Sequence, residues 1–289
     1  MANSSSSSFI VMVNGATNNN NKVTFNPEDM VVNVDHSRLN LMNYMIVDNE
    51  FAIITKDNYN DYYDYLIEYY KPSNQPDESK VMEEAEDIVQ YRADCGIINK
   101  KSQEEISNIA KNLANYHMKL YRIRNNVYNF NTNTAKKMIS DAINNGTISY
   151  EYMYQLVKDY TDKITDCYRY IDDNELHDSF YNVIKNTIVC DEYFGDFRTY
   201  YQMVEDDPRI CNIAEFAIYG SIDSICRPYI IAFKKLIQMA IIFHKNPNAV
   251  LVNLDVDDSW EDSKLHDALV DNTIAQNNDK VKVLWHERD

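Results

Sequence analysis

A chain of 289 residues with 45 acidic and 28 basic side chains, a formal net charge of −17, opposes phosphate and anionic membrane when its field is averaged. Its hydrophobic content of 45% excludes wholesale disorder. With only five glycines, a glycine-rich phosphate loop is not expected. The high content of Asn, Tyr, Ile, Lys and Asp fits an A/T-rich genome, such as many viruses, some parasites and low-GC bacteria have.

The first 56 residues read as short strands between turn-rich joints: Phe9–Val13, Lys22–Phe25, Met30–Val34, Tyr44–Val47 and Phe51–Thr55. Asp48-Asn49 is predicted to turn a hairpin between the last two, Asn18–Asn21 to form a loop, and Ser4–Ser8 a flexible arm. A tyrosine- and acid-rich stretch, Asp57–Tyr70, follows at helical spacing, and its tyrosines read as packing residues. Asp77 is a helix cap ahead of a stripe of Val81, Met82, Ala85, Ile88 and Val89 that ends near Gly96. Ser102-Gln103-Glu104-Glu105 has the form of a capping box.

The helix that the box opens should bury Ile106, Ile109, Leu113, Tyr116, Leu120 and Ile123, then end near Arg124. Asn125–Asn133 is predicted as a loop, followed by a shorter helix with Ala135, Met138, Ile139, Ala142 and Ile143 that stops at Gly146. Ser149 begins another helix, through Met153, Tyr160, Ile164 and Ile171. Further helices are expected at Phe180–Ile188, Tyr193–Val204 and from Asp207-Pro208 to Gly220, with a last one running to Lys245 past Pro228. Beyond Asn246-Pro247, strands at Val250–Val256 and Lys280–Trp285 flank a helix around Trp260–Ile274.

The fold class predicted is mainly α (α+β overall): a helical core at 57–245, a small N-terminal β-rich region at 1–56 and a C-terminal β-α-β extension at 246–289. The terminal strands are too few to bury themselves. They pair either in one small sheet or with another subunit.

Five cysteines, an odd number at wide spacings with no Cys-x-x-Cys pair, read as free thiols of a reducing compartment. The N-terminal apolar piece is too short for a signal-peptide core, and Tyr229–Phe243 is too short and too charged to span a bilayer. A cytoplasmic or virion location without membrane contact is the expectation. His177-Asp178 and His266-Asp267 are weak echoes of metal phosphohydrolase ligands and read as solvated helix surface. Asp255, Asp257, Ser259 and Glu261 start like a calcium loop, but Trp260 stands at the glycine position and His266 at the bidentate Glu. No Walker loop, dinucleotide fingerprint or Gly-x-Ser-x-Gly elbow occurs. The expectation is a protein without enzymatic activity, metal or cofactor.

The distinctive feature is charge placement. Ile106–Ser140 holds no Asp or Glu, and neither does Ser224–Leu254. These runs carry Lys111, Lys119, Arg122, Arg124, Tyr128, Lys136, Lys137, Arg227, Lys234 and Lys235. Cations that neutralise phosphate, together with aromatics that stack on bases, are what a single-strand groove requires. In layout, a helical core with terminal arms, the chain resembles viral nucleoproteins and filament coat proteins, although no signature residue of theirs is present. That resemblance implies self-association through the arms and single-stranded RNA in a basic cleft. The alternative is an acidic, helical interaction module, similar to poxviral helical inhibitors of host signalling. An enzyme with an unrecognised site is a third, minor reading.

Overall fold

The computed structural model of the chain describes residues 6–19, 22–46, 50–95, 102–167, 188–191, 196–199, 211–257, 263–271 and 280–288. It is mainly α with small sheets, as the hydrophobic periodicity implied. Two compact units divide the chain: Met1–Leu66 with Lys136–Tyr154 and Ala232–Asp289, and Ile67–Ala135 with Gln155–Ile231.

The first unit is built on a four-stranded antiparallel sheet of order β10-β1-β9-β6. Its strands are β1 (Ser6–Val13), β6 (Ile53–Ile54), β9 (Leu251–Asp257) and β10 (Val281–Arg288). Both chain ends thus meet in one sheet, with Phe9 opposite Leu254 on one side and His286 on the other. Alternation assigns the two faces. Phe9, Val11, Val13, Val252, Leu254 and Val281 pack with Met30, Val32 and Leu41, and with Leu265 and Leu269 of α6 (Ser263–Val270). Ile10 and Leu251 face the other way, toward Tyr62 of α1 (Tyr59–Glu68) and Met239, Ile242 and Phe243 of α5 (Cys211–Lys245). Each such fully buried side chain contributes roughly 1.5–3 kcal/mol. Phe9, Ile10, Val11 and Val13 of β1 and Val281 of β10 are buried within this unit, and Val283, Leu284 and Trp285 are half-buried.

Between β1 and β6 lie two small hairpins, β2 (Thr17–Asn19) with β3 (Lys22–Thr24) and β4 (Val31–Val34) with β5 (Ser37–Asn40). Asn18 and Asn19 are accordingly strand, and Ser6–Ser8 belong to β1, where a loop and a flexible arm were expected. The hairpin predicted at Asp48-Asn49, a pair that lies outside the described residues, is not formed by its flanks. Met45 and β6 both pair with β9 instead, Met45 opposite Leu254 and Ile53–Ile54 opposite Val252 and Leu251.

In the second unit α2 (Glu78–Asp94) packs on α3 (Gln103–Asn144) through Ala85 and Val89 against Ile106, Ile109, Ala110 and Ala114. Asp77 caps α2 by accepting from the Ser79 amide at 3.0 Å; the Ser79 hydroxyl, 2.7 Å away, and then that amide hold its carboxyl below the usual value. The capping box closes as read: Ser102 N donates to Glu105 Oε2 at 2.8 Å and Glu105 N to Ser102 Oγ at 3.3 Å. In α4 (Met153–Asp166), Tyr160 is completely buried, 5.6 Å from the Phe130 ring, and donates to Tyr229 O at 3.4 Å.

Along the helices the structure departs from the expected boundaries at three further places. No loop interrupts α3 at Asn125–Asn133: the helix continues to Asn144. The segment has neither Gly nor Pro, and two of its asparagines fold back on their own helix. Asn131 Nδ2 donates to Val127 O at 2.6 Å and Asn133 Nδ2 to Asn129 O at 2.7 Å. Buried Val127, Asn131 and Ala135 continue the inward stripe. The helix predicted to end at Gly220 instead runs through it, and through Pro228, to Lys245. The helix expected at Tyr193–Val204 contains a strand, β8 (Asp196–Thr199), paired with β7 (Ile188–Asp191), where β-branched and aromatic residues outweigh helical spacing. The stop at Gly146 (φ 69°) holds, with Thr147 N donating to Ala142 O at 2.8 Å. His177-Asp178, Asp207-Pro208 and Gly96 lie outside the described residues.

Candidate interaction surfaces

The ten residues singled out by charge divide between the units. Lys111, Lys119, Arg122, Arg124, Tyr128 and Arg227 lie in the second; Lys136, Lys137, Lys234 and Lys235 lie in the first. Continuity of α3 removes the helix start that Lys136 and Lys137 were expected to occupy, and with it the free backbone amides there.

In the first unit Lys136 forms an ion pair with Asp64. Lys235 is only 6% exposed, its ammonium 5.3 Å from the centre of the Trp285 ring. Trp285 Nε1 is buried without a hydrogen-bond acceptor among the described residues. Lys137 is exposed and Lys234 half-buried.

In the second unit the half-buried Tyr128 donates to Glu68 Oε2 at 2.7 Å, and Lys71 Nζ binds the other carboxylate oxygen at 2.6 Å. Lys71 first, and Tyr128 second, hold the Glu68 carboxyl below its usual range. Lys111, Arg122, Arg124 and Arg227 are exposed, and Lys119 is half-buried. Burial, reinforced by Arg124 and opposed by Glu84, lowers the His117 pKa and favours a neutral imidazole. At about 100° per residue, Lys111, Lys119 and Arg122 share an arc of roughly 80° on α3. That arc is nearly opposite the face that takes α2.

Sequence reasoning placed Ile88 in the buried stripe of α2, but it is 39% exposed. It belongs to an outward arc of roughly 120° with Glu84, Asp87, Tyr91 and Asp94. Tyr91 is 67% exposed and every acid of the arc is exposed. The available signal was angular: Ala85 and Val89 are i, i+4 neighbours, whereas Ile88 lies toward the Glu84 side of them. Tyr62 and Tyr63 of the tyrosine-rich stretch pack as expected, while Tyr65, Tyr69 and Tyr70 are exposed.

His266, from the second His-Asp pair, stands 3.1 Å from Ser7 Oγ by Nε2 and 3.4 Å from Asp267 Oδ1 by Nδ1. Ser7 is completely buried, so this contact fastens α6 to β1 and leaves a substrate no approach to the hydroxyl. Among the described residues no group of three His, Cys, Asp or Glu side chains is placed to hold a metal ion. No described helix is long and apolar enough to cross a membrane.

Comparison with protein-family models, with curated proteins and with solved structures finds no match to this chain.

Proposed function

We propose that the chain is a non-enzymatic interaction module that presents the outward face of α2 to a basic protein partner. The observation that carries this reading is the exposure of Ile88 and Tyr91, at 39% and 67%, within the acids Glu84, Asp87 and Asp94. An aromatic anchor and an aliphatic side chain flanked by three acids, with Lys80 on the same arc one turn before Glu84, match the usual make-up of a binding patch. The engagement of Tyr128, Lys136 and Lys235 inside their own units weakens the competing picture of a continuous basic cleft. Titration with a lysine-rich amphipathic peptide bearing a leucine or aromatic anchor should show saturable binding that weakens with salt. Tyr91→Ala should reduce the affinity roughly tenfold. Absence of salt-sensitive binding would sink the reading.

A second reading, single-stranded RNA binding, is favoured by the exposed Lys111 and Arg122 in an acid-free run. It predicts that each lost phosphate contact lowers the salt slope of RNA binding by roughly 0.7. Replacing Lys111, Lys119 and Arg122 by Ala tests it directly.

A further inference from the structure

We propose that the basic partner of α2 is the Lys111–Lys119–Arg122 face of α3 on a second copy of this chain, so that copies join head to tail. This rests on the reading of α2 as a docking face. Three observations support it.

The first is charge complementarity. Between residues 84 and 94 the outward arc of α2 carries Glu84, Asp87 and Asp94, and between 111 and 122 the arc of α3 carries Lys111, Lys119 and Arg122; Lys80 and Glu104, on the same arcs, lie outside these spans. The second is spacing. Antiparallel helices would set Glu84 against Arg122, Asp87 against Lys119 and Asp94 against Lys111. The first interval is three residues on both helices, and the second is seven on α2 against eight on α3. At about 1.5 Å per residue that mismatch is close to one residue rise, well within the reach of lysine and arginine side chains. The exposed Tyr91 ring falls between the Asp87 and Asp94 positions, where aliphatic stems or a guanidinium can cover it.

The third is placement within one hairpin. Ala85 and Val89 join α2 to Ile106, Ile109, Ala110 and Ala114, and the Lys111–Arg122 arc lies nearly opposite that contact on α3. The acidic arc of α2 and the Lys111–Arg122 arc of α3 therefore point to different sides of the helix pair. Two different surfaces meeting between copies form a heterologous contact, which extends into rings or open filaments and not into a closed two-fold dimer.

The experiment is sedimentation velocity on the full chain over a range of protein concentrations, at low and at high salt. Self-association is expected to grow with concentration and to dissolve in high salt. A variant with Glu84→Lys and Asp87→Lys, and a second with Lys111→Glu and Arg122→Glu, should each associate at least roughly tenfold more weakly. Each variant places like charges on both faces. Mixing the two in equal amounts should restore assembly, since each face then meets its opposite. The substitutions lie at exposed positions, and circular dichroism checks that the fold is retained.

A chain that stays monomeric throughout, or a mixture that does not recover, overturns the inference. In that event the basic peptide decides the broader reading: binding that Tyr91→Ala weakens keeps α2 as a docking face for another protein, and no binding removes both. If Lys111→Glu with Arg122→Glu abolishes RNA binding in a chain that never self-associates, those cations serve nucleic acid and the inference falls.

Discussion

The Tyr128 hydroxyl donates to the Glu68 carboxylate at 2.7 Å, joining the middle of α3 to the end of α1. Lys71 closes the arrangement, its ammonium 2.6 Å from the same carboxylate and 6.0 Å from the Tyr128 ring centre. An aromatic that looked like a stacking platform in an acid-free run thus spends its polar group on an acid far away in sequence. Compensating acids of this kind are invisible to any window drawn along α3.

The first prediction concerns acid. Glu68 is held below its ordinary value by Lys71 and then by Tyr128, so its ionised form is favoured in the folded state. A depressed carboxyl stabilises above its unfolded pKa, and that stabilisation is lost as pH falls through the folded pKa. Glu68→Gln should therefore be less stable than the parent chain at neutral pH and indistinguishable from it once both carboxyl forms are protonated. Thermal unfolding measured across the acid range checks this. A difference that persists at the acid end would show that the contact is not electrostatic.

What the sequence made legible were features written in neighbouring residues. The capping box at Ser102 and Glu105, the Asp77 cap and the αL stop at Gly146 all stand where local chemistry puts them. The strands at Phe9–Val13 and Val250–Val256 were legible from alternation and β-branching. Hidden were outcomes decided by distant partners. Asn125–Asn133 looks loop-like by composition, yet Val127, Asn131 and Ala135 are buried and hold it helical. The pairing of β1 with β9 and with β10 joins residues more than two hundred positions apart. Of the candidate surface, the acidic clusters of α2 were visible. The exposure of Ile88 and Tyr91 required the angle at which α2 meets α3.

The second prediction concerns a buried amide. Asn253, 5% exposed in the centre of β9, donates from Nδ2 to Phe51 O at 2.5 Å, while its backbone N donates to Ala52 O at 3.0 Å. The side chain satisfies a carbonyl that β6 is too short to engage. Asn253→Leu should leave the Phe51 carbonyl without its donor and cost about 1–3 kcal/mol. Asn253→Asp should cost more, because it buries a charge and sets an acceptor against an acceptor. Chemical denaturation provides the measurement. An unchanged midpoint for Asn253→Leu would mean that water or a neighbour replaces the bond.

The third prediction concerns the β4–β5 turn. Asp35 and His36 both have positive φ, 46° and 66°, between the paired Val34 and Ser37. This is the backbone of a two-residue turn that favours Asn-Gly or Asp-Gly, since a Cβ in the left-handed region costs roughly 1–2 kcal/mol. His36→Gly removes that strain and adds chain entropy to the unfolded state, for an expected net gain of about 0.5–1 kcal/mol. A rise in unfolding temperature checks it, and His36→Val should move it the other way. If both variants unfold together, the turn is not under strain.

The last prediction concerns cysteine chemistry and the alkaline limb. Cys95 is exposed at the end of α2, whereas Cys226 is buried within α5. Burial, with smaller contributions from Cys167 and Asp223, pushes the Cys226 thiol up to about 12 from an ordinary value of 9.0. Only the thiolate attacks an alkylating reagent. Brief alkylation of the native chain near pH 8 should therefore mark Cys95 and spare Cys226, and denaturant should expose both, as peptide mass spectrometry can read. The same shift has a stability consequence. A thiol whose folded pKa lies above its unfolded value favours the folded state fully below the unfolded pKa, and this contribution is lost as pH rises from about 9 toward 12. Tyr229, also raised by burial, acts in the same direction. Cys226→Ala should thus differ from the parent chain by a constant amount up to about pH 9 and converge with it above that pH. Equal labelling of Cys95 and Cys226 in the native chain would show that this part of α5 opens readily, and the alkaline argument would fall with it.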